Sequence, residues 1–177
     1  MARLDRKVQP DYRIEPLGEG TVTEQDVLDL WKRERIVVPE GPEQRLPEVL
    51  LVASHEPEGL VGISSVYLSR NDQLGMSLWH FRVFVAEAHR WSNLAAKLAS
   101  DTRDHFSRRF QSGEDRRAQG MIFEVENEAL RQRKNLAVWR QTDFVFIGVR
   151  EGDGAHVRVF YFPGALAPDP PRGAAGA

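Results

Sequence analysis

The sequence predicts a mixed α/β fold: one central sheet with helices on both of its faces. Three observations carry that expectation. Strand-like runs, alternating or continuously apolar, give way more than once to apolar residues at helical spacing. Three of the strand candidates follow one another across short turns, the pattern of an antiparallel meander. The full order is strand, helix, three strands, helix, strand, helix, two strands, which excludes strict strand–helix alternation.

The elements follow in chain order. Tyr12 to Leu17 alternates and reads as a strand, closed by Gly18 and Gly20. Thr23 and Asp26 mark a helix start, a hydroxyl cap with an acid three residues on, and Val27, Leu28, Leu30 and Trp31 supply its apolar stripe. Residues 37–48 hold three prolines and a glycine and read as loop or broken short helix. Val49 to Ala53 is a short apolar run suited to a strand buried on both faces. Leu60 to Leu68 and Leu78 to Val85 complete the meander.

From Trp91 to Phe110 the apolar residues fall at helical spacing. Met121 to Glu126 reads as a strand, and a helix is expected over about Glu128 to Gln141. Phe144 to Val149 and Val157 to Phe162 are strands joined by Glu151-Gly-Asp-Gly154, a hairpin signal. Residues 1–10 read as a flexible N-terminus. Residues 163–177, with four prolines, three glycines and five alanines, read as a disordered tail. Residues 11–162 then form a single domain.

Composition bounds the chemistry. The chain has 177 residues, 41% hydrophobic and 28% charged, enough for one real core and incompatible with wholesale disorder. It lacks cysteine, which removes disulfides, thiolate metal sites and cysteine nucleophiles. No signal peptide or membrane-length apolar run is visible, so a cytoplasmic chain without membrane contact is expected. Twenty of the 24 basic residues are arginine, a bias that genome composition explains as readily as anionic ligands do. The net charge of −2 disfavours bulk nucleic-acid binding.

One segment carries a resemblance. Val85-Ala-Glu-Ala-His-Arg-Trp-Ser-Asn-Leu-Ala-Ala-Lys-Leu98 is similar to the strand end, Arg/Gln-x-x-Gly-x-Gly/Ala loop and helix start of the GNAT (Gcn5-related N-acetyltransferase) superfamily. Arg90 falls on the basic position and Ala95 on the last small position, while Asn93 replaces the middle glycine and Trp91 stands where glycine is frequent. The element order of nearly all of residues 11–162 agrees. The resemblance implies a central mixed, mostly antiparallel sheet of six to seven strands with helices on both faces. It also implies an N-acyltransferase using acetyl-CoA, another acyl-CoA or an acyl-carrier thioester, acting on a small-molecule or peptide amine. Backbone groups near Val83 and Val85 would face the thioester, and Arg90, Trp91, Ser92, Asn93, Leu94, Ala95 and Ala96 would hold the diphosphate. Pairing of copies through the last strands is a further implication. The family's late-helix Tyr is matched by Trp139, whose indole N–H is no acid at useful pH.

The loop's chemistry stands without the family. A helix N-terminus offers unpaired N–H groups and partial positive charge to a phosphate. Asn tolerates left-handed backbone nearly as well as glycine. For the base that an attacking amine requires, Glu124 and Glu126 share a strand face with Ile122, opposite Met121, Phe123 and Val125. His80 and Arg82 form a similar pair opposite Trp79, Phe81 and Val83. The five histidines show no HxxxH or HxH spacing, so no metal is expected. GxSxG, GxxxxGK[ST] and GxGxxG motifs are absent, which argues against serine and nucleotide hydrolases. Two rivals remain: a degenerate GNAT-fold binding or regulatory protein, and a transferase specialised for a carrier protein, nucleobase or polypeptide.

Overall fold

A computed structural model describes residues 12–133 and 135–168. The expected flexible N-terminus and residues 169–177 of the expected tail lie outside them. The strand β1 (Tyr12–Pro16) leads to helix α1 (Glu24–Arg33). Thr23 caps that helix in a reciprocal capping box with Asp26, worth about 1 kcal/mol. The proline-rich stretch forms the short helix α2 (Pro42–Arg45) and a 3₁₀ turn at Leu46–Glu48.

β2 (Val49–His55), β3 (Gly59–Asn71) and β4 (Met76–Val85) form the expected antiparallel meander. The β3–β4 register runs unbroken from Gly62↔Val85 to Asn71↔Met76, so side-chain alternation along β4 holds throughout. A 3₁₀ turn at Glu87–His89 opens into helix α3 (Leu94–Ser112). β5 (Gly120–Val125), helix α4 (Glu128–Arg133), β6 (Val138–Trp139), β7 (Phe144–Val149) and β8 (His156–Tyr161) complete the chain. The sheet order is β1-β2-β3-β4-β5-β8-β7-β6, with β4–β5 parallel and its other neighbours antiparallel. All seven expected strands are present, and β6 adds an eighth.

Helices cover both faces. α1 buries Val27, Leu30 and Trp31 against Val52, Leu60 and Ile63. On the other face α3 buries Leu94 and Leu98 against Leu51, Ala53 and Val61, and Phe106 and Phe110 against Trp79, Phe81 and Met121. Gly62 permits the close approach of α3: a Cβ there would lie 3.3 Å from Leu94 Cδ2 and 3.4 Å from Leu98 Cδ1. A buried hydrogen bond of 2.9 Å between Ser64 and Thr102 pins the same helix to β3. Among the described residues no helix is long and apolar enough to cross a membrane.

The expected helix over Glu128–Gln141 is corrected. α4 ends at Arg133, and the chain then turns back as a hairpin. Thr142 and Asp143 N–H groups both bond to Trp139 O, Asp143 takes a positive φ of 57°, and Phe146 N–H bonds to Ala137 O. Pairing with β7 gives this backbone ladder partners in place of helical ones. Residues 163–168, placed in the tail on composition, stay on the body. Ala165 packs against the α3-side core and Leu166 N–H donates to Gln119 Oε1.

Candidate active site

The site begins where β4 and β5 part. They pair only over Trp79–Phe81 and Met121–Phe123, whereas β4 stays paired with β3 as far as Val85. Ala86 N–H donates to Val61 O at 2.8 Å, so the even-numbered residues of β4 bond toward β3. The N–H groups of Val83 and Val85 consequently turn into the gap beyond Phe81. A cleft of about 440 Å³ occupies this gap. Phe81, Val83 and Phe123 from the α3 side and His80, Arg82 and Glu124 from the α1 side both line it, so it passes between the strands. Trp31, Ile36, Val37, Pro39 and Arg45 roof the α1 side.

His80 is half-buried, and its ring stacks on Tyr67 with centroids 4.8 Å apart. Its Nε2 is buried without a hydrogen-bond partner among the described residues. Burial holds the imidazole below its ordinary pKa, with the Glu124 carboxylate opposing that shift and Arg82 adding to it. Arg82 is engaged by Glu48 at 2.7 Å and Glu40 at 3.9 Å, and it lies 4.2 Å from the Tyr67 ring centroid. Arg45 has a buried Nε with no partner among the described residues, and burial lowers its pKa.

Glu124 and Glu126 share the expected face, and both line the cleft. Arg150 pairs with both, at 3.1 Å to Glu126, and with Asp153. The Asp153 and Glu126 hydrogen bonds push the Arg150 pKa up, and Arg150 in turn pulls Asp153 down. The Glu126 side chain is 71% exposed at the strand end, against 35% for Glu124. His80 and Glu124 are thus brought together; Glu126 sits at the rim.

The loop before α3 makes its left-handed turn without a glycine. Asn93 is the N-cap and adopts left-handed backbone, φ 63° and ψ 10°. Its side chain makes no cap bond; Ser92 Oγ instead accepts from Leu94 N–H at 3.3 Å. Arg90 Nε donates to Val85 O at 3.2 Å, tying the loop to the end of β4, and its side chain is exposed. Trp91 is 79% exposed, so it is not a core residue of the helix start. Leu94 is fully buried and can face a ligand only through its backbone, while Ala95 and Ala96 are half-buried on the first turn. Trp139 lies in β6 rather than on a helix, 6.1 Å from the Phe123 ring and stacked over Arg158.

A parted pair of parallel strands, with a helix N-terminus following the first of them, defines a class. The chain has the fold of the GNAT acetyltransferases. It is similar to ribosomal-protein-S5-alanine acetyltransferase from Vibrio fischeri, at 12% identity and TM-score 0.57, over 88% of this chain and 96% of that one. It is also similar to Arabidopsis thaliana NAA60 in complex with acetyl-CoA, at 14% identity and TM-score 0.56, over 85% and 99%. A third similar structure is AtaT complexed with acetyl-methionyl-tRNAfMet, at 14% identity and TM-score 0.52, over 85% and 95%. No protein-family model and no curated protein matches the sequence.

Proposed function

We propose that the protein is an N-acyltransferase that moves an acyl group from an acyl-CoA thioester to an amine. The observation that carries this reading is the gap between β4 and β5, with the Val83 and Val85 N–H groups turned into it. An extended thioester fits such a slot, and the N–H donors lie where negative charge develops on its carbonyl oxygen. The left-handed Asn93 and the first turn of α3 leave backbone N–H groups at Ala95 and Ala96 for the diphosphate, with Arg90 beside them.

The amine attacks the thioester carbonyl directly: a C–N bond forms and the C–S bond breaks. His80 takes the proton that the amine must lose. Its depressed pKa keeps the imidazole neutral at pH 7, and its Nε2, in the cleft wall and without a hydrogen-bond partner among the described residues, accepts the proton once the bound amine displaces the groups that cover it. Glu124, held by Arg150, acts on His80 through its charge. Glu126 at the rim contacts solvent or the acceptor. The thiolate leaves as the conjugate base of a thiol of pKa about 8.5, so no Tyr at the position of Trp139 is required. Trp139 instead walls the thioester side through Phe123.

The three similar structures name different acceptors or none, so acceptor choice rests on this chain's own cleft. Arg45 in the cleft wall supports an acceptor carrying a carboxylate or phosphate near its amine. Pairing of two copies through the last strands belongs to the same reading, supported by the exposed Val145, Ile147 and Val149 on β7; sedimentation at two concentrations reads it. Thiol release from acetyl-CoA with a panel of amines tests the activity. Amine-dependent release, lost in His80→Gln, is expected; no amine-dependent release with any acceptor would overturn the reading.

A further inference from the structure

His55 closes β2, Glu58 lies in the turn between β2 and β3, and His89 closes the 3₁₀ turn that leads to α3. The antiparallel meander brings the ends of β2 and β4 to one end of the sheet, and these three residues gather there. One ligand atom from each lies within 4.8 Å of the others. The geometry points to a binding site for a divalent transition-metal ion, zinc above all, built from His55, Glu58 and His89.

The donor set suits the ion. Two imidazoles and one carboxylate are the nitrogen and oxygen ligands that zinc takes with a fourth position left open. Tetrahedral zinc at its usual bond lengths spaces its ligand atoms by about 3.3 Å. The His55 Nδ1 to Glu58 Oε1 distance is 3.9 Å, and His89 Nε2 contacts Glu58 Oε2. Glu58 must therefore move away from His89 and toward His55. Its side chain is half-exposed on a turn, so this movement disturbs no core packing.

Two further observations point to an ion. His55 Nδ1 is buried with no hydrogen-bond partner among the described residues, although it faces the same carboxylate that His89 contacts. His89 is 7% exposed, and its Nδ1 lies 2.7 Å from the Tyr12 hydroxyl. Tyr12 O–H can donate to Nδ1 while Nε2–H donates to Glu58; with Nδ1–H donating to Tyr12 instead, Nε2 presents the lone pair that a metal ion takes in place of the proton. The second partner of a ligating histidine has this form in metal sites generally, fixing tautomer and ring orientation. Glu58 and His89 also line a cleft with Arg33, Glu34 and Glu87. Bound there, the ion would tie the β2–β3 turn to the segment that opens α3.

Isothermal titration of the untagged, chelator-stripped full chain with zinc chloride tests the site, with cobalt absorption reporting coordination. One ion per chain is expected, with tetrahedral cobalt bands and a raised thermal midpoint. His55→Ala and Glu58→Gln should each weaken binding about tenfold or more. Both residues lie outside the fully buried core, and circular dichroism confirms that the variants fold. His89→Ala empties a buried position and would mix a folding defect with a binding defect, so His55 and Glu58 carry the test. Absence of stoichiometric binding, or unchanged affinity in both variants, would reduce the cluster to a Glu58–His89 ion pair and overturn the proposal.

Discussion

Tyr67 and His80, neighbours across β3 and β4, stack with ring centroids 4.8 Å apart and 28° between their planes. The stack fixes the imidazole plane while its Nε2 stays without a partner among the described residues. A base so placed must be neutral to work. Burial lowers the His80 pKa, so turnover should be flat above pH 7 and fall on an acid limb below the ordinary imidazole value of about 6.5. His80→Gln should remove that limb and lower kcat on the order of 100-fold, leaving acetyl-CoA affinity within about twofold. An unchanged kcat would dismiss His80 as the base.

Glu124 divides the two readings of the carboxylate pair. Its charge raises the His80 pKa against the larger effect of burial. Removing that charge in Glu124→Gln should move the acid limb to lower pH, with kcat at pH 8 falling by less than about fivefold. A loss of about 100-fold at all pH values would instead make Glu124 the proton acceptor. The pH–rate profile of this variant separates the cases.

Asn93 sits at φ 63°, where a Cβ-bearing residue without a short polar side chain is strained. Asn93→Ala should therefore cost about 1 kcal/mol in urea unfolding. Asn93→Gly should cost nothing and should match or tighten acetyl-CoA affinity, because the phosphate can approach the backbone more closely. Equal stability of the Ala and Gly variants would contradict the left-handed cap.

Trp139 lies with its ring centroid 4.1 Å from the guanidinium carbon of Arg158, a side chain only 1% exposed. That stacking gives the indole a structural role, so restoring a phenol should not restore an acid. Trp139→Tyr should lower thermal stability and leave kcat unchanged. A raised kcat would show that the leaving thiolate does need a proton donor there.

Much of the frame was legible in the sequence because local signals and tertiary packing agreed. The Thr23–Asp26 capping box, the meander and the alternation along β4 and β5 all appear as the pattern dictates. The segment from Asn135 to Asp143 was not legible. Its helical composition loses to ladder bonds with β7, which only the folded sheet edge can offer. The site was half legible. Asn93 as a left-handed residue follows from its chemistry, and His80 and Glu124 follow from strand parity. Arg150, which neutralises Glu124 and Glu126, arrives from a hairpin 24 or more residues away, and no local spacing announces it. Arg45 was hidden for the same reason. The cluster of His55, Glu58 and His89 is invisible to a search for histidine spacing, since its members come from separate turns.

The central claim is that the gap between β4 and β5, with the start of α3, receives an acyl-CoA thioester. Isothermal titration of the wild-type chain with acetyl-CoA, repeated with Arg90→Ala, tests it most directly. Saturable binding of one acetyl-CoA per chain, weakened about tenfold in Arg90→Ala by loss of a charged phosphate contact, is the predicted result. No binding of acetyl-CoA or free CoA at millimolar concentration would contradict the account.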